Sequence, residues 1–372
     1  MNNISSQKIC FVFGTRPEII KIAPIIKECI ATRTNFITIH TGQHYSENMD
    51  QVFFDTLELP APNYNLGVGS KTHAYQTAAM LMGIEDVLIA EKPSVVVVQG
   101  DTNSVLAGAI AAAKLNIPVA HVEAGLRSYD RTMPEELNRV LAGSIVSFHF
   151  TPTEEAANNL RKEGVPDSKI YTVGNTIVDT VLQNFDLSKE KSTILENLRM
   201  QDTPFSLVTI HRAENTDFKE KLETIVTAFE AVISTHNLVL IWPIHPRTEK
   251  QLKAFALFDR VKNNPKILLI EPVGFLDMLS LQANSQITLT DSGGIQEESC
   301  ILHVPCVTIR NNTERPESIS VGANILAGFD VEKILEAVNT MIVSKRQWEN
   351  PFGDGTASAK IVRVITENTP SI

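Results

Sequence analysis

The sequence predicts an α/β protein built as two doubly wound halves, each a parallel sheet flanked by helices. Three observations predict it. Short β-branched or aromatic runs alternate with helical patterns from Ile9 to Ile309, the alternation of βαβ units. Val95 to Val98 is apolar on both faces, as strands in the middle of a parallel sheet are. The alternation also restarts after the polar stretch Ser188 to Lys191, so that 372 residues make two domains of ordinary size. The expected domains are residues 1–185 and 186–355, with a helix at 356–372 packing back on the first.

The first strand, Ile9 to Phe13, ends in Gly14-Thr15-Arg16-Pro17-Glu18. Pro17 suits the first turn of a helix, where its missing N–H costs nothing, and Ile19, Ile22, Ala23 and Ile26 keep the helical period. Arg16 and Lys21 are then cations near a helix start, beside a strand end. Phe36 to His40 is the second strand, followed by Thr41-Gly42-Gln43-His44. A helix over Asn48 to Leu57, a loop over Pro60 to Ser70 and a helix over Thr72 to Ile89 come next. Val95 to Val98 runs into Gln99-Gly100-Asp101-Thr102-Asn103 and an alanine-rich helix to Leu115. Val119 to Val122 ends at Glu123, and Pro134 opens a helix with Glu135 and Glu136 in its first turn, where the helix dipole favours them. Phe148 to Phe150, a helix capped by Thr153, and Ile170 to Val173 complete the first half.

In the second half Leu207 to Ile210 ends in His211-Arg212-Ala213-Glu214-Asn215. Leu238 to Trp242 leads to His245, which its proline-rich turn marks as structural, and Ile267 to Ile270 follows. Ile287 to Thr290 stops on Asp291-Ser292-Gly293-Gly294 and resumes as a helix at Ile295. Such a helix start leaves backbone N–H groups unpaired, and two glycines let a ligand approach them, which is how phosphate is held. Glu298, about one turn further on, is placed to accept from ribose hydroxyls. Arg16, Asp101 and Glu123 all stand at strand carboxyl ends, where open α/β sheets bind ligands. Two such domains are expected to face each other across a cleft.

Composition narrows the class. A formal net charge of −10 argues against nucleic acid, and an anionic ligand needs a local cationic pocket. Hydrophobic residues at 43% and charged residues at 20% are a soluble balance. Cys10, Cys29, Cys300 and Cys306 form no C-x-x-C pair and read as buried thiols of a cytoplasmic protein. The stretch Met1 to Lys8 does not read as an apolar signal region, and no run reaches the roughly 18 apolar residues that a membrane span needs. The histidines lack metal-site spacing, His121-x-Glu123 lacks the Pro-Cys-x-x-Cys of zinc deaminases, and neither a Walker lysine motif nor a G-x-S-x-G elbow occurs. Carboxylates near a reacting sugar can move protons or stabilise a cationic centre, so Asp101, Glu123 and Glu135 are acid–base candidates. Arg16, Lys21, Arg212 and His211 are candidates to neutralise a departing diphosphate. The bland alternatives are a helix cap for Asp101, a dipole partner for Glu135 and a turn histidine at His211.

Eight motifs then occur in one order: Phe13-Gly14-Thr15-Arg16-Pro17-Glu18, Thr41-Gly42-Gln43-His44, Gln99-Gly100-Asp101-Thr102, His121 to Arg127, Pro134 to Arg139, His211 to Asn215, Asp291 to Glu298, and Thr313 to Glu317. Jointly they resemble the non-hydrolysing UDP-N-acetylglucosamine 2-epimerase family, from Ile9 to about Gly328. The resemblance implies a glycosyltransferase-B-like fold of two Rossmann-type domains, a homodimer, and no NAD or metal. It implies interconversion of UDP-GlcNAc and UDP-ManNAc through loss of UDP, a 2-acetamidoglucal intermediate and re-addition. By motif position Arg16, Lys21 and His211 would contact the diphosphate, and Ser292, Gly294 and Glu298 would hold phosphate and ribose. Asp101, Glu123 and Glu135 would be the acid–base carboxylates, and Gly293, Arg139, Arg212, Phe275 and Arg315 are further candidate substrate contacts. The Arg127 to Pro134 loop is shorter than in many bacterial members, and relatives acting on other UDP-2-acetamido sugars share the framework. Gln43 and His44 match part of the region where some bacterial members take a second, activating UDP-GlcNAc, whereas Lys71 to Thr77 does not. A glycosyltransferase and a non-catalytic UDP-sugar sensor are the competing functions.

Overall fold

The structure, a computed structural model, describes residues 7–43 and 53–369. His44 and the first half of the expected Asn48 to Leu57 helix lie outside the described residues, and within that stretch residues 53–56 are helical. The chain forms two compact units, Met1–Leu182 with Phe352–Ile372, and Gln183–Pro351.

The first unit holds β1 (Lys8–Phe13), α1 (Arg16–Thr32), β2 (Asn35–His40), β3 (Tyr64–Asn65), α2 (His73–Glu91), β4 (Val95–Gln99), α3 (Asn103–Lys114), β5 (Val119–Val122), α4 (Pro134–Gly143), β6 (Phe148–Thr151), α5 (Glu154–Lys162) and β7 (Ile170–Thr172). The sheet order is β3-β2-β1-β4-β5-β6-β7, and every pair is parallel. The order reverses beside β1, with β2 on one side and β4 on the other, so the loops after β1 and β4 diverge to opposite faces. Val95, Val96, Val97 and Val98 are all fully buried in the middle of this sheet. Strand β3 falls inside the stretch that reads as loop. Its backbone is recruited by pairing Ile39 with Tyr64 and by the bond from Leu66 N–H to the His40 carbonyl, which no side-chain alternation announces.

Helix α6 (Thr176–Lys191) runs through the polar stretch Ser188–Lys191, where the buried Ser188 hydroxyl donates to the Leu276 carbonyl at 2.8 Å. The second unit continues with β8 (Phe205–Thr209), the short helix α7 (Ala213–Thr216), α8 (Lys219–His236), β9 (Val239–Pro243), α9 (Pro246–Ala254), β10 (Ile267–Ile270), α10 (Phe275–Asn284), β11 (Ile287–Thr290), α11 (Gly293–Ile301), β12 (Cys306–Thr308), β13 (Asn324–Leu326) and α12 (Val331–Ile342). Its order, β10-β9-β8-β11-β12-β13, repeats the pattern of the first sheet, again all parallel. Its core carries Trp242 edge-on against Phe229 at 5.4 Å. Helix α13 (Ala357–Asn368) returns to the first unit, packing on α1 while buried Asp179 accepts from the Ala357 and Ser358 backbone. The four cysteines are free and buried. No helix of the described residues is long and apolar enough to cross a membrane.

Gly125 shows how tightly the turn after β5 is built. Its φ is +84°, and a Cβ there would meet the Ala156 carbonyl oxygen at 2.2 Å. Both the left-handed backbone and the backbone clash oppose any side chain. Gly125→Ala should therefore cost about 2–4 kcal/mol, read as a lower midpoint in urea unfolding, and an unchanged midpoint would contradict this packing.

Candidate active site

In the first unit the strand-end turns bring charged groups into contact. The turn after β5 puts Glu123 in the left-handed region, φ 68°, unusual for a residue with a side chain. Its buried carboxylate takes a bond from Lys21 of α1 at 2.5 Å on one oxygen and from Gln99 at the end of β4 at 2.5 Å on the other. Lys21 is itself buried. This cation, a candidate for the diphosphate, is thus seen on a candidate acid–base group. Asp101 follows Gly100 and accepts from Arg139 of α4 at 2.6 and 3.0 Å, while its backbone carbonyl accepts from Asn138. It does not cap α3; Thr102 does, accepting from Val105 N–H.

Arg139 also bonds Glu136 at 2.9 Å. Glu136 is buried and collects Ser128 N–H, the Ser128 hydroxyl and Tyr129 N–H, so it fixes the short loop before α4. Burial pushes its carboxyl up, but these donors and Arg139 outweigh that and hold it below the usual range. Glu135, one residue earlier, is exposed. Arg16 lies half-buried with its guanidinium 5.5 Å from the Phe53 ring centre.

Glu18 was missed as a site residue. It accepts from Gly14 N–H at 3.0 Å, the Thr15 hydroxyl at 2.8 Å and the Thr102 hydroxyl at 2.8 Å. Burial, only partly offset by these donors, raises its carboxyl from 4.5 to about 7. The Thr15-x-x-Glu18 spacing is the capping-box signal that could have found it. His121 has its Nε2 2.7 Å from the Gly100 carbonyl, and burial pushes its imidazole below the usual histidine range.

In the second unit one buried aspartate organises the turns after β8 and β11. Asp291 accepts from His211 N–H, Arg212 N–H and Asn215 Nδ2 at 2.9–3.1 Å, and His211 Nδ1 lies 3.1 Å from its Oδ1. Burial opposes its ionisation, yet the bonds from His211 and Arg212 keep its carboxyl below the ordinary range. With Nδ1 donating to Asp291, His211 keeps Nε2 for another partner. The Arg212 guanidinium donates to the Asp291 carbonyl. His245 instead caps α9, accepting from Arg247 N–H at 3.1 Å.

Ser292 stands at the N-cap of α11 and its side chain makes no cap bond, so the first N–H groups of the helix have no side-chain acceptor from that residue. A Cβ on Gly293 would meet nothing nearer than Arg315 at 4.0 Å, and one on Gly294 nothing nearer than Glu298 at 3.9 Å. Packing therefore does not require glycine at either position, and their smallness leaves the helix start open to an anion. Glu298 is buried at the next turn, and Phe275, also buried, opens α10. Arg315 is spoken for by the buried Glu297. Arg310, fully buried and also missed in the sequence, binds Glu314 at 2.9 Å and Glu214 at 3.2 Å. Among the described residues no cluster of His, Cys, Asp and Glu could hold a metal ion.

A family model described as UDP-N-acetylglucosamine 2-epimerase matches residues 27–366. The UDP-N-acetylglucosamine 2-epimerase of Methanocaldococcus jannaschii is 55% identical over 361 residues, covering 96% of this chain and 99% of the relative. A crystal structure of the Methanocaldococcus jannaschii UDP-GlcNAc 2-epimerase in complex with UDP-GlcNAc and UDP superposes with a TM-score of 0.92 at 54% identity, covering 97% of this chain and 100% of that one. The UDP-2,3-diacetamido-2,3-dideoxy-D-glucuronate 2-epimerase of Pseudomonas aeruginosa is 40% identical, covering 97% of this chain and 99% of the relative.

Glu18 supplies a pH test. A carboxyl raised in the folded state favours folding when protonated, so its contribution is full below 4.5 and is lost as pH rises through about 7. Wild type should lose a few degrees of melting temperature across that window relative to Glu18→Gln. Parallel melting curves would show that Glu18 does not titrate there.

Proposed function

Because the chain belongs to the UDP-N-acetylglucosamine 2-epimerase family, with its glycosyltransferase-B-like α/β fold, we propose that it interconverts UDP-GlcNAc and UDP-ManNAc. The observation that carries the chemistry is Glu123, a buried carboxylate on a left-handed backbone, held by Lys21 and Gln99 at a strand end.

The C2 hydrogen of the sugar has no neighbouring carbonyl to acidify it. In the proposed course the C1–O bond breaks and its electron pair leaves with UDP, while a carboxylate takes the C2 proton. A C1=C2 double bond, the 2-acetamidoglucal, remains. A proton then returns to C2 from the opposite face and UDP adds back to C1. Inversion needs proton donors and acceptors on both faces of C2, and Asp101, Glu123 and Glu135 supply them. His211, held by Asp291, offers Nε2 to the departing phosphate; Arg16, Arg212 and the start of α11 share its charge. Lys21 and Arg139 hold Glu123 and Asp101 in place through their ion pairs. Glu298 takes the ribose, and Phe275, Ser292, Gly293, Gly294 and Arg315 line the nucleotide. General acid–base help is worth about 10²–10⁴-fold, so stabilising the leaving group and positioning must supply the rest.

The experiment is incubation with UDP-GlcNAc in D₂O. UDP-ManNAc carrying deuterium at C2 is the expected product. Retained protium at C2, or transfer of sugar to an acceptor, would refute the epimerase. Glu123→Gln should lower kcat by about 10²–10⁴-fold. Offering the 2,3-diacetamido uronate nucleotide in parallel decides which sugar is preferred.

The assembly we propose is a homodimer. Tyr75, Met82 and Ile89 recur every seventh residue along α2 and are 62%, 64% and 55% exposed. Leu137 and Leu141, one turn apart on α4, are 46% and 51% exposed. Both helices pack on α3, and Leu137 and Leu141 line a groove whose other wall is the Ala74, Ala78 and Leu81 face of α2. A second copy of the same face would cover them. Met82→Glu combined with Leu141→Glu should halve the mass seen by light scattering, and a monomeric wild type would end this proposal.

A further inference from the structure

We propose that Glu18 is a positioning residue that locks the Arg16 turn to the Asp101 turn; this rests on the epimerase reading. Thr15 stands at the N-cap of α1 and Thr102 at the N-cap of α3. These positions are 87 residues apart in sequence by their numbers, 102 − 15. One carboxylate joins them: the Glu18 Oε2 atom takes Gly14 N–H and the Thr15 hydroxyl, and Oε1 takes the Thr102 hydroxyl. Arg16 follows Thr15 directly, and Asp101 precedes Thr102 directly. Each end of the clamp is therefore one residue from a group assigned to the reaction.

Helix capping alone does not account for this carboxylate. A threonine already stands at the N-cap of α1, and Thr15 makes no side-chain cap bond because its hydroxyl faces Glu18. Glu18 is 1% exposed, and all its side-chain partners are neutral donors. A buried carboxylate without a cation is costly, and a neutral side chain would cap one helix at less cost. What a neutral side chain of this reach lacks is two acceptor oxygens aimed at two different turns. The positive ends of α1 and α3 both converge on it, which lowers the cost of its charge. The Thr102 hydroxyl, donating to Glu18 while accepting from Val105 N–H, passes the restraint into α3. Asp101 is gripped from the other side by Arg139. The clamp and that ion pair together fix the direction of the Asp101 carboxylate.

The test has two independent readouts. Amide hydrogen exchange of the segment 100–106 reports the clamp whether or not the protein turns over any sugar. It should rise in Glu18→Ala and in Thr102→Val, with α5 and the second unit unchanged. Epimerisation kinetics then report its use. In an active wild type, Glu18→Ala and Thr102→Val should each lower kcat about 10–100-fold, the range for misplaced reacting groups, while KM changes less than about threefold. The double variant should lose no more than the worse single, because both cut the same link. Thr102→Ser, which keeps the hydroxyl, should restore kcat to within about threefold of wild type. Unchanged exchange at 100–106 overturns the clamp. So do additive kcat losses, or losses that only follow the folded fraction. An inactive wild type with the exchange change intact would sink the epimerase reading and leave the clamp standing.

Discussion

A carboxylate removed from water must be met by a cation or by several donors, and that requirement shapes several of the strand-end turns here. In the first unit Lys21 meets Glu123, and Arg139 meets both Asp101 and Glu136. In the second, Arg310 meets Glu314, Arg315 meets Glu297, and Asp291 gathers three N–H donors besides the His211 ring. The pairs Lys21–Glu123, Arg139–Asp101 and Arg315–Glu297 join different βα units and each brace two turns, whereas Arg139–Glu136 and Arg310–Glu314 tie a segment to itself. Breaking one such buried pair by removing a partner costs about 3–5 kcal/mol. The turns are therefore rigid because they are charged, and the same charge is available to chemistry.

The division of labour among cations follows. Lys21 and Arg139 lie on carboxylates. In the proposed reaction the diphosphate then falls to Arg16, Arg212, His211 and the backbone at the start of α11. In that reaction a chain with a net charge of −10 would gather an anion without a broad basic surface. Backbone N–H groups and a helix dipole attract phosphate while adding no formal charge.

Much of the architecture was legible in the residues. Val95 to Val98 buries both faces, a pattern that neither an edge strand nor an amphipathic surface helix produces. Pro17 and Pro134 mark helix starts that do begin there. The strand-to-helix turn at Asp291 to Gly294 was expected, but the helix begins at Gly293, two residues before the expected Ile295. Other features depend on contacts between distant residues, to which local pattern is blind. Tyr64 and Asn65 become a strand only because β2 offers them an edge. Lys21 reads as a cation beside a phosphate site until Glu123, 102 residues on, is brought against it. Glu135 and Glu136 are indistinguishable in sequence, yet helical geometry turns the second inward to Ser128 and Arg139 and leaves the first exposed. Asp291 reads as the start of a phosphate turn, whereas its side chain points back to hold the neighbouring loop.

The chain enters the second unit once and comes back, so the last helix completes the first unit rather than the second. Asp179 waits for backbone donors at residues 357 and 358. During synthesis the stretch from 183 to 351 is contiguous and can settle as soon as it clears the ribosome. The earlier portion, although translated first, keeps an uncovered flank on α1 and an unmet buried acid until residues 352–369 emerge. Birth order and completion order are therefore reversed in this polypeptide.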